Sequence, residues 1–121
     1  MQRIQEFVPP KISSGAVYEI ILVLCHPGRR IKFIGESYIR FQDLRRNACA
    51  RNTISHSEFN RAFQWLESTG VIQRPHSHRR GGGRGAGPCS LTPHAGEATT
   101  QAGKEILTIA FQALAQKDHQ L

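Results

Sequence analysis

Residues 55–72 read SHSEFNRAFQWLESTGVI, and most of the expected architecture follows from them. Ser55 followed three residues later by Glu58 is a capping box, which is typical of a helix start. Gly70 suits a helix end because glycine takes a left-handed conformation without a steric penalty, and the β-rich segment 71–74 comes directly afterwards. The stretch predicts an amphipathic helix over residues 55–69 that runs into a strand. Its apolar stripe consists of Phe59, Ala62, Phe63 and Leu66.

Residues 75–88 are rich in glycine, proline, histidine and arginine and lack the apolar side chains that a core requires. Residues 89–92, Cys-Ser-Leu-Thr, are short and apolar enough to return as a second strand. We therefore predict a β-hairpin with strands near 71–74 and 89–92 and a basic tip over about residues 75–88.

Two further helices are predicted before this stretch. Ser13 and Ser14 can cap a helix that carries the apolar run 16–25 and stops at Pro27. Periodicity alone also permits a buried strand there, but the length and the cap favour a helix. After a basic connector at 29–34, which can include an extended segment, a second helix is predicted over residues 37–50. It rests on apolar positions at roughly helical spacing, namely Ile39, Phe41, Leu44, Ala48 and Cys49.

These elements indicate one domain that is mainly α with a small β-hairpin. It would have a three-helix core, a two-stranded hairpin and a C-terminal helix, and 121 residues suffice for one modest core. Residues 1–12, broken by Pro9 and Pro10, are expected to form an irregular arm. Residues 13–98 form the predicted domain, and residues 99–121 form a last helix capped by Thr99 or Thr100.

The positive charge is concentrated in the middle of the chain. The formal charge is +7, with 16 Lys and Arg against 9 Asp and Glu. Between Arg29 and Arg84 there are 12 basic and four acidic residues, which leaves about −1 for the rest of the chain. Such a segment is typical of a protein that meets a polyanion; a merely solvated basic face is the alternative.

The predicted helix 55–69 presents a second, polar face. Stepping roughly 100° per residue places Ser57, Asn60, Arg61, Gln64 and Ser68 opposite the apolar stripe. Arginine can pair with guanine, and the two amides can pair with adenine, in the major groove of a DNA duplex. We therefore predict base contacts by this helix and contacts to the phosphate backbone by neighbouring residues. The further candidates are Arg40, Arg45, Arg46, Ser55, His56, Arg74, Arg79, Arg80 and Arg84.

The same segment resembles winged helix-turn-helix regulators of the MarR and PadR kinds. Residues 59–72 look like their recognition helix running into leucine–glutamate–x–x–glycine–x–isoleucine, here Leu66 to Ile72. Leu91-Thr92 followed by Gly96 resembles the leucine–threonine signature that ends the wing. The likeness covers about residues 15–107. It implies a winged helix that binds double-stranded DNA selectively as a dimer, often as a repressor, with the helix 55–69 in the major groove and the basic hairpin tip as the wing.

The wing would be longer and richer in glycine than in those regulators, and no long N-terminal dimerisation helix precedes the domain. Dimerisation would then fall to the last helix. The alternative is that this helix packs on the first helix of its own chain. The residues concerned are Ile106, Leu107, Ala110, Phe111 and Leu114.

Two other functions remain open at this stage. Winged helices also serve as protein-interaction adaptors inside larger complexes, and the Arg-Gly segment 79–87 could bind single strands or RNA. A salt titration with random duplex DNA separates the first of these from a duplex-binding protein, and deletion of the segment identifies the second.

No catalytic arrangement stands out, so we expect neither an enzyme nor a cofactor. His76, His78, Cys89 and His94 are potential metal ligands, but their spacing matches no established zinc pattern. Cys25 and Cys49 are expected to be buried thiols, and Cys89, near histidines and arginines, is a weak candidate redox sensor. The most apolar run, residues 16–25, is too short to span a bilayer, and we expect a cytoplasmic, nucleoid-associated protein without a membrane partner.

Overall fold

The computed structural model describes residues 2–25, 31–33, 36–74 and 87–119. This part of the chain is mainly helical with a small antiparallel sheet, which confirms the predicted fold class at that level. Its elements in chain order are α1 (Ser14–Cys25), β1 (Ile31–Phe33), β2 (Glu36–Arg40), α2 (Phe41–Ala48), α3 (His56–Ser68), β3 (Ile72–Gln73), β4 (Pro88–Leu91) and α4 (Gln101–His119). Short 3-10 helices cover Gln2–Phe7 and Ala95–Glu97.

Helix α1 lies at the centre of the core, as its apolar sequence requires. The Ser13 hydroxyl accepts a hydrogen bond from the Ala16 N–H at 3.1 Å, so the predicted cap is present. Val17, Ile20 and Ile21 are wholly buried, and α1 contacts α2, α3, α4 and the first 3-10 helix. The helical alternative for residues 16–25 is therefore confirmed.

The sheet joins the predicted hairpin to a strand that precedes α2. All neighbours are antiparallel, in the order β1-β2-β4-β3. Ile72 pairs with Leu91 within the hairpin, and Ile39 pairs with Cys89 across β2 and β4. The predicted hairpin strands are confirmed within one or two residues, but among the described residues the sheet has four strands rather than two.

The predicted helix over 37–50 is wrong at its start. Residues Glu36–Arg40 form β2, and the helix begins only at Phe41. Arg40 is extended, with φ −67° and ψ 143°. Pairing with β4 satisfies backbone groups of β2, and both Tyr38 and Ile39 become buried. The apolar spacing suited either structure, and a strand partner some fifty residues away along the chain decided between them.

The predicted irregular arm is also wrong in part. Gln2–Phe7 is a 3-10 helix that packs against α1 and α4. Ile4 is only 1% exposed and belongs to the core. So short a segment has no periodicity to read, and its order comes from the tertiary contact.

The end of α3 is bonded directly to the chain that leads into α4. Gly70 has φ +82°, as the predicted helix stop requires. Thr99 donates its backbone N–H to the Thr69 carbonyl and its hydroxyl to the Ser68 carbonyl, both at 2.9 Å. The Thr100 hydroxyl accepts from the Gly103 N–H at 3.0 Å, which confirms a threonine cap for α4.

A buried carboxylate connects α1 to the turn between α2 and α3. Glu19 is 8% exposed and accepts from the guanidinium of Arg51, with the Thr53 hydroxyl 3.5 Å away. The hydrogen bond and the charge of Glu19 raise the pKa of Arg51. This pairing gives a charge inside an otherwise apolar helix a partner, without which burial would be costly.

Helix α4 belongs to the same core. Ile106, Leu107 and Ala110 are wholly buried, and α4 contacts α1. These three side chains are therefore unavailable to a second chain, and the alternative of packing on α1 is confirmed for them. Phe111 and Leu114 are half-buried against the same core. In the described part of the chain, no helix combines the length and apolar character needed to cross a membrane.

Candidate nucleic-acid interface

Helix α3 has one buried face and one exposed face, as predicted. Phe59, Ala62, Phe63 and Leu66 are at most 2% exposed. The Phe59 and Phe63 rings stack with centroids 5.9 Å apart, and Phe41 of α2 meets both rings edge-on. This aromatic group fixes the rotation of α3 about its axis. The predicted polar residues Ser57, Asn60, Arg61 and Gln64 are exposed as a result, and so are His56, Glu58, Glu67 and Ser68.

The first turn of α3 is already occupied by its own capping groups. The Glu58 N–H donates to the Ser55 hydroxyl at 3.1 Å, and the Ser55 N–H donates to the Glu58 carboxylate at 2.8 Å. Both halves of the predicted capping box are thus present. Because Glu58 places a negative charge at this helix end, an N-terminal phosphate site there would meet repulsion. His56 is exposed beside it.

The three arginines predicted near α2 differ in their surroundings. Arg40 is exposed where β2 ends. Arg45 is half-buried with its guanidinium carbon 5.6 Å from the centroid of the Phe41 ring. Arg46 is 76% exposed and forms an ion pair with Asp43 at 3.3 Å. Arg40 and Arg46 are therefore accessible to a partner in solvent, although Arg46 is paired with Asp43, whereas Arg45 is held against the protein.

The side chain of Arg74, at the end of β3, is held in place by its neighbours. Its side chain is 17% exposed, and Nε donates to the Glu67 carboxylate at 2.8 Å. The guanidinium carbon lies 4.9 Å from the Phe63 ring centroid and 5.9 Å from that of Phe41. Such cation–π contacts favour a fixed position of the guanidinium.

These side chains enclose a cleft of about 420 Å³ between α2, α3 and the end of β3. Sequence reasoning found its polar residues separately but missed that they share one cavity with two phenylalanine rings. The ion pair between Glu67 and Arg74 could not be predicted from helical spacing. The two residues are seven positions apart, but Glu67 lies on α3 and Arg74 lies at the end of β3. The lining residues are Phe41, Arg45, Asn60, Phe63, Gln64, Glu67 and Arg74.

The predicted wing contacts by Arg79, Arg80 and Arg84 lie outside the described residues, as do His76 and His78. Within the described ranges, no group of three or more His, Cys, Asp or Glu side chains is placed to hold a metal ion. Trp65 packs against the core at its edge, beside the 3-10 helix of residues 2–7.

The proposal of Cys89 as a redox sensor is contradicted by its burial. Cys89 is wholly buried in β4, and its thiol donates to the Ile39 carbonyl with a sulfur–oxygen distance of 3.6 Å. Cys25 is also buried, while Cys49 is half-buried. Burial raises the pKa of the Cys49 thiol, although the charge of Arg45 acts in the opposite direction.

These differences predict that one thiol per chain reacts with a disulfide reagent in the native protein and three react in denaturant. The reactive thiol is Cys49, since access to Cys25 and Cys89 requires opening of the core. Because the thiolate is the nucleophile and the Cys49 pKa is raised, its reaction should be slower than that of a free thiol and keep accelerating at alkaline pH. Cys49→Ser should abolish the native reaction. Any fast-reacting thiol in the native Cys49→Ser variant would contradict the assignment.

Comparison of the chain with protein-family models, with curated proteins and with solved structures finds no match. The only indications of what the interface binds are therefore its own described residues.

Proposed function

We propose that this chain is a winged helix-turn-helix protein that binds double-stranded DNA selectively and acts as a transcriptional regulator, most simply a repressor. The observation that carries the proposal is the exposed face of α3. It combines one arginine, two amides and the hydroxyls of Ser57 and Ser68 on a helix whose opposite face is buried in the core. A rigid helix with such a face is the element that reads base edges in the major groove.

The charge of the face supports a polyanionic partner. Arg61 is exposed, and the carboxylate at the C-terminal edge of the face, Glu67, is neutralised by Arg74. Arg40 and Arg46 add exposed positive charge near α2. In such an interface the arginines at the flanks would contact phosphates and fix the register, while the centre of α3 would supply selectivity.

The order of elements supports the winged-helix form of the proposal. Strand β3 begins four residues after α3 ends, and β4 returns between β3 and β2. The base of the hairpin is thereby held beside the C-terminal end of α3. Arg79, Arg80 and Arg84, which lie outside the described residues, are the proposed source of phosphate or minor-groove contacts by the wing.

Replacing Arg61 by Ala should weaken binding to a selected duplex by about 1–3 kcal/mol and relax the sequence preference, because the charged fork and its hydrogen bonds to a base are lost. Lys104→Ala is the matched control, since it removes the same charge from an exposed site on α4. Fluorescence anisotropy with a duplex chosen from a random library measures both variants. Equal affinities and selectivities for the Arg61→Ala variant and the original chain would overturn the role of α3.

The same assay distinguishes the other two functions. A protein-interaction adaptor should show no binding to random duplex DNA even at low salt, where phosphate contacts are strongest. A single-strand or RNA binder should lose binding when residues 79–87 are deleted and keep it in Arg61→Ala. A duplex-binding regulator should instead bind random DNA at low salt with a steep salt dependence.

A further inference from the structure

We propose that the cleft between α2, α3 and the end of β3 is a subsite for one backbone phosphate of the bound duplex. Arg45 and Arg74 would be its ligands, and Glu67 would be the internal counter-ion with which the phosphate competes. The inference rests on the proposed function for the source of the phosphate. To that function it adds a phosphate site, the two arginines that would bind the phosphate and a carboxylate that would limit the affinity for phosphate.

Two arginines line this cleft. The guanidinium carbons of Arg45 and Arg74 lie 5.6 and 5.9 Å from the centroid of the Phe41 ring. The distance between the two carbons is therefore at most the sum of these two distances. Arg74 also lies over the Phe63 ring. The rings hold both cations in place, and less side-chain freedom is then lost when an anion binds.

The cleft carries an excess of positive charge. Among the described residues that line it, Glu67 supplies a carboxylate and Arg45 and Arg74 supply the positive charges. Glu67 accepts from Nε of Arg74, while Nη2 of Arg74 is buried and has no hydrogen-bond partner among the described residues. A second anionic acceptor beside this guanidinium would offset the cost of its buried donor.

The remaining lining residues suit a phosphate. The amide side chains of Asn60 and Gln64 border the same cavity and can donate to phosphate oxygens. Guanidinium forks match those oxygens in pairs. Because Asn60 and Gln64 belong to the exposed face of α3, a phosphate in the cleft would also set the position of α3 along the duplex.

Glu67 then opposes the binding of an anion in the cleft. Its carboxylate is 41% exposed and paired with Arg74, so an incoming phosphate must share or displace that pairing. Removing its charge while keeping its shape should strengthen phosphate binding. Removing the Arg74 charge should weaken it.

The experiment is a titration of the full chain with inorganic phosphate, at constant ionic strength maintained with chloride. The Nε–Hε resonances of Arg45 and Arg74 are followed by NMR. We expect saturable shifts at both arginines, about two- to fivefold tighter binding in Glu67→Gln, as for release of a partly exposed ion pair, and roughly tenfold weaker binding in Arg74→Gln. Glu97→Gln, an equal charge change on an exposed residue outside the cleft, should bind phosphate as the original chain does.

The absence of saturable shifts at Arg45 and Arg74 would overturn the subsite, as would equal effects of Glu67→Gln and Glu97→Gln. A parallel titration with random duplex DNA separates this failure from that of the proposed function. Duplex binding without phosphate shifts rejects the subsite and leaves the DNA-binding proposal intact. Phosphate shifts without duplex binding support an anion site and reject the backbone phosphate as its ligand.

Discussion

Phe59→Ala is expected to lower the free energy of unfolding by about 3–5 kcal/mol. Phe59 is wholly buried, stacks on Phe63 and meets Phe41 edge-on at a centroid distance of 5.6 Å. Truncation removes the apolar contacts of a whole ring and leaves a cavity that the surrounding helices can only partly fill. Urea unfolding followed by far-UV circular dichroism measures the change.

Two neighbouring substitutions serve as controls for Phe59→Ala. Phe59→Leu keeps an apolar side chain of comparable size and should cost less. Asn60→Ala, on the exposed face of the same turn, should change the free energy of unfolding by no more than about 0.5 kcal/mol. A loss below about 1 kcal/mol for Phe59→Ala would show that the aromatic group does not hold α3 in place.

Gly70→Ala is expected to destabilise the fold by about 2–4 kcal/mol, from strain in a left-handed backbone and from crowding. Gly70 has φ +82°, and a Cβ there would lie 2.8 Å from the Thr99 nitrogen and 2.9 Å from the Ala98 Cα. Both neighbours are backbone atoms held by the Thr99–Thr69 hydrogen bond, so they cannot move away independently. Thermal and urea unfolding report the loss.

Gly96→Ala is the matched control for this prediction. A Cβ on Gly96 would meet no atom within 4 Å, and its φ is not in the left-handed region. It should therefore leave stability unchanged or raise it slightly, because alanine reduces the freedom of the unfolded chain. If Gly70→Ala and Gly96→Ala have the same free energy of unfolding, the junction between α3 and α4 does not exclude a side chain at residue 70 as these distances imply.

The features that the sequence predicts well depend on neighbours along the chain. The capping box at Ser55 and Glu58, the apolar stripe of α3 and the stop at Gly70 are each contained within a few residues. Helical spacing alone then separates the buried face of α3 from the exposed one. The polar face of the candidate interface was predictable for the same reason.

The features that could not be predicted from the sequence depend on residues that are far apart along the chain. The apolar positions from Ile39 to Cys49 have a spacing that fits a helix, and only the pairing of β2 with β4 makes Ile39 part of a strand. Ile4 is buried because α1 and α4 provide a surface for it. The cleft likewise requires Phe41, Glu67 and Arg74 to meet from three elements. No local pattern contains that information.

The pairing of β2 with β4 also bears on how quickly the chain folds. It joins Ile39 to Cys89, 50 residues apart, whereas α3 and the start of β3 are adjacent in sequence. Closing so long a loop costs entropy before any strand contact is gained. We expect α1, α2 and α3 to associate first, and both the β2–β4 ladder and the contact of α4 with α1 to form after the main folding barrier. Substitutions in β4 should then accelerate unfolding, whereas substitutions in the α1–α3 core should slow folding.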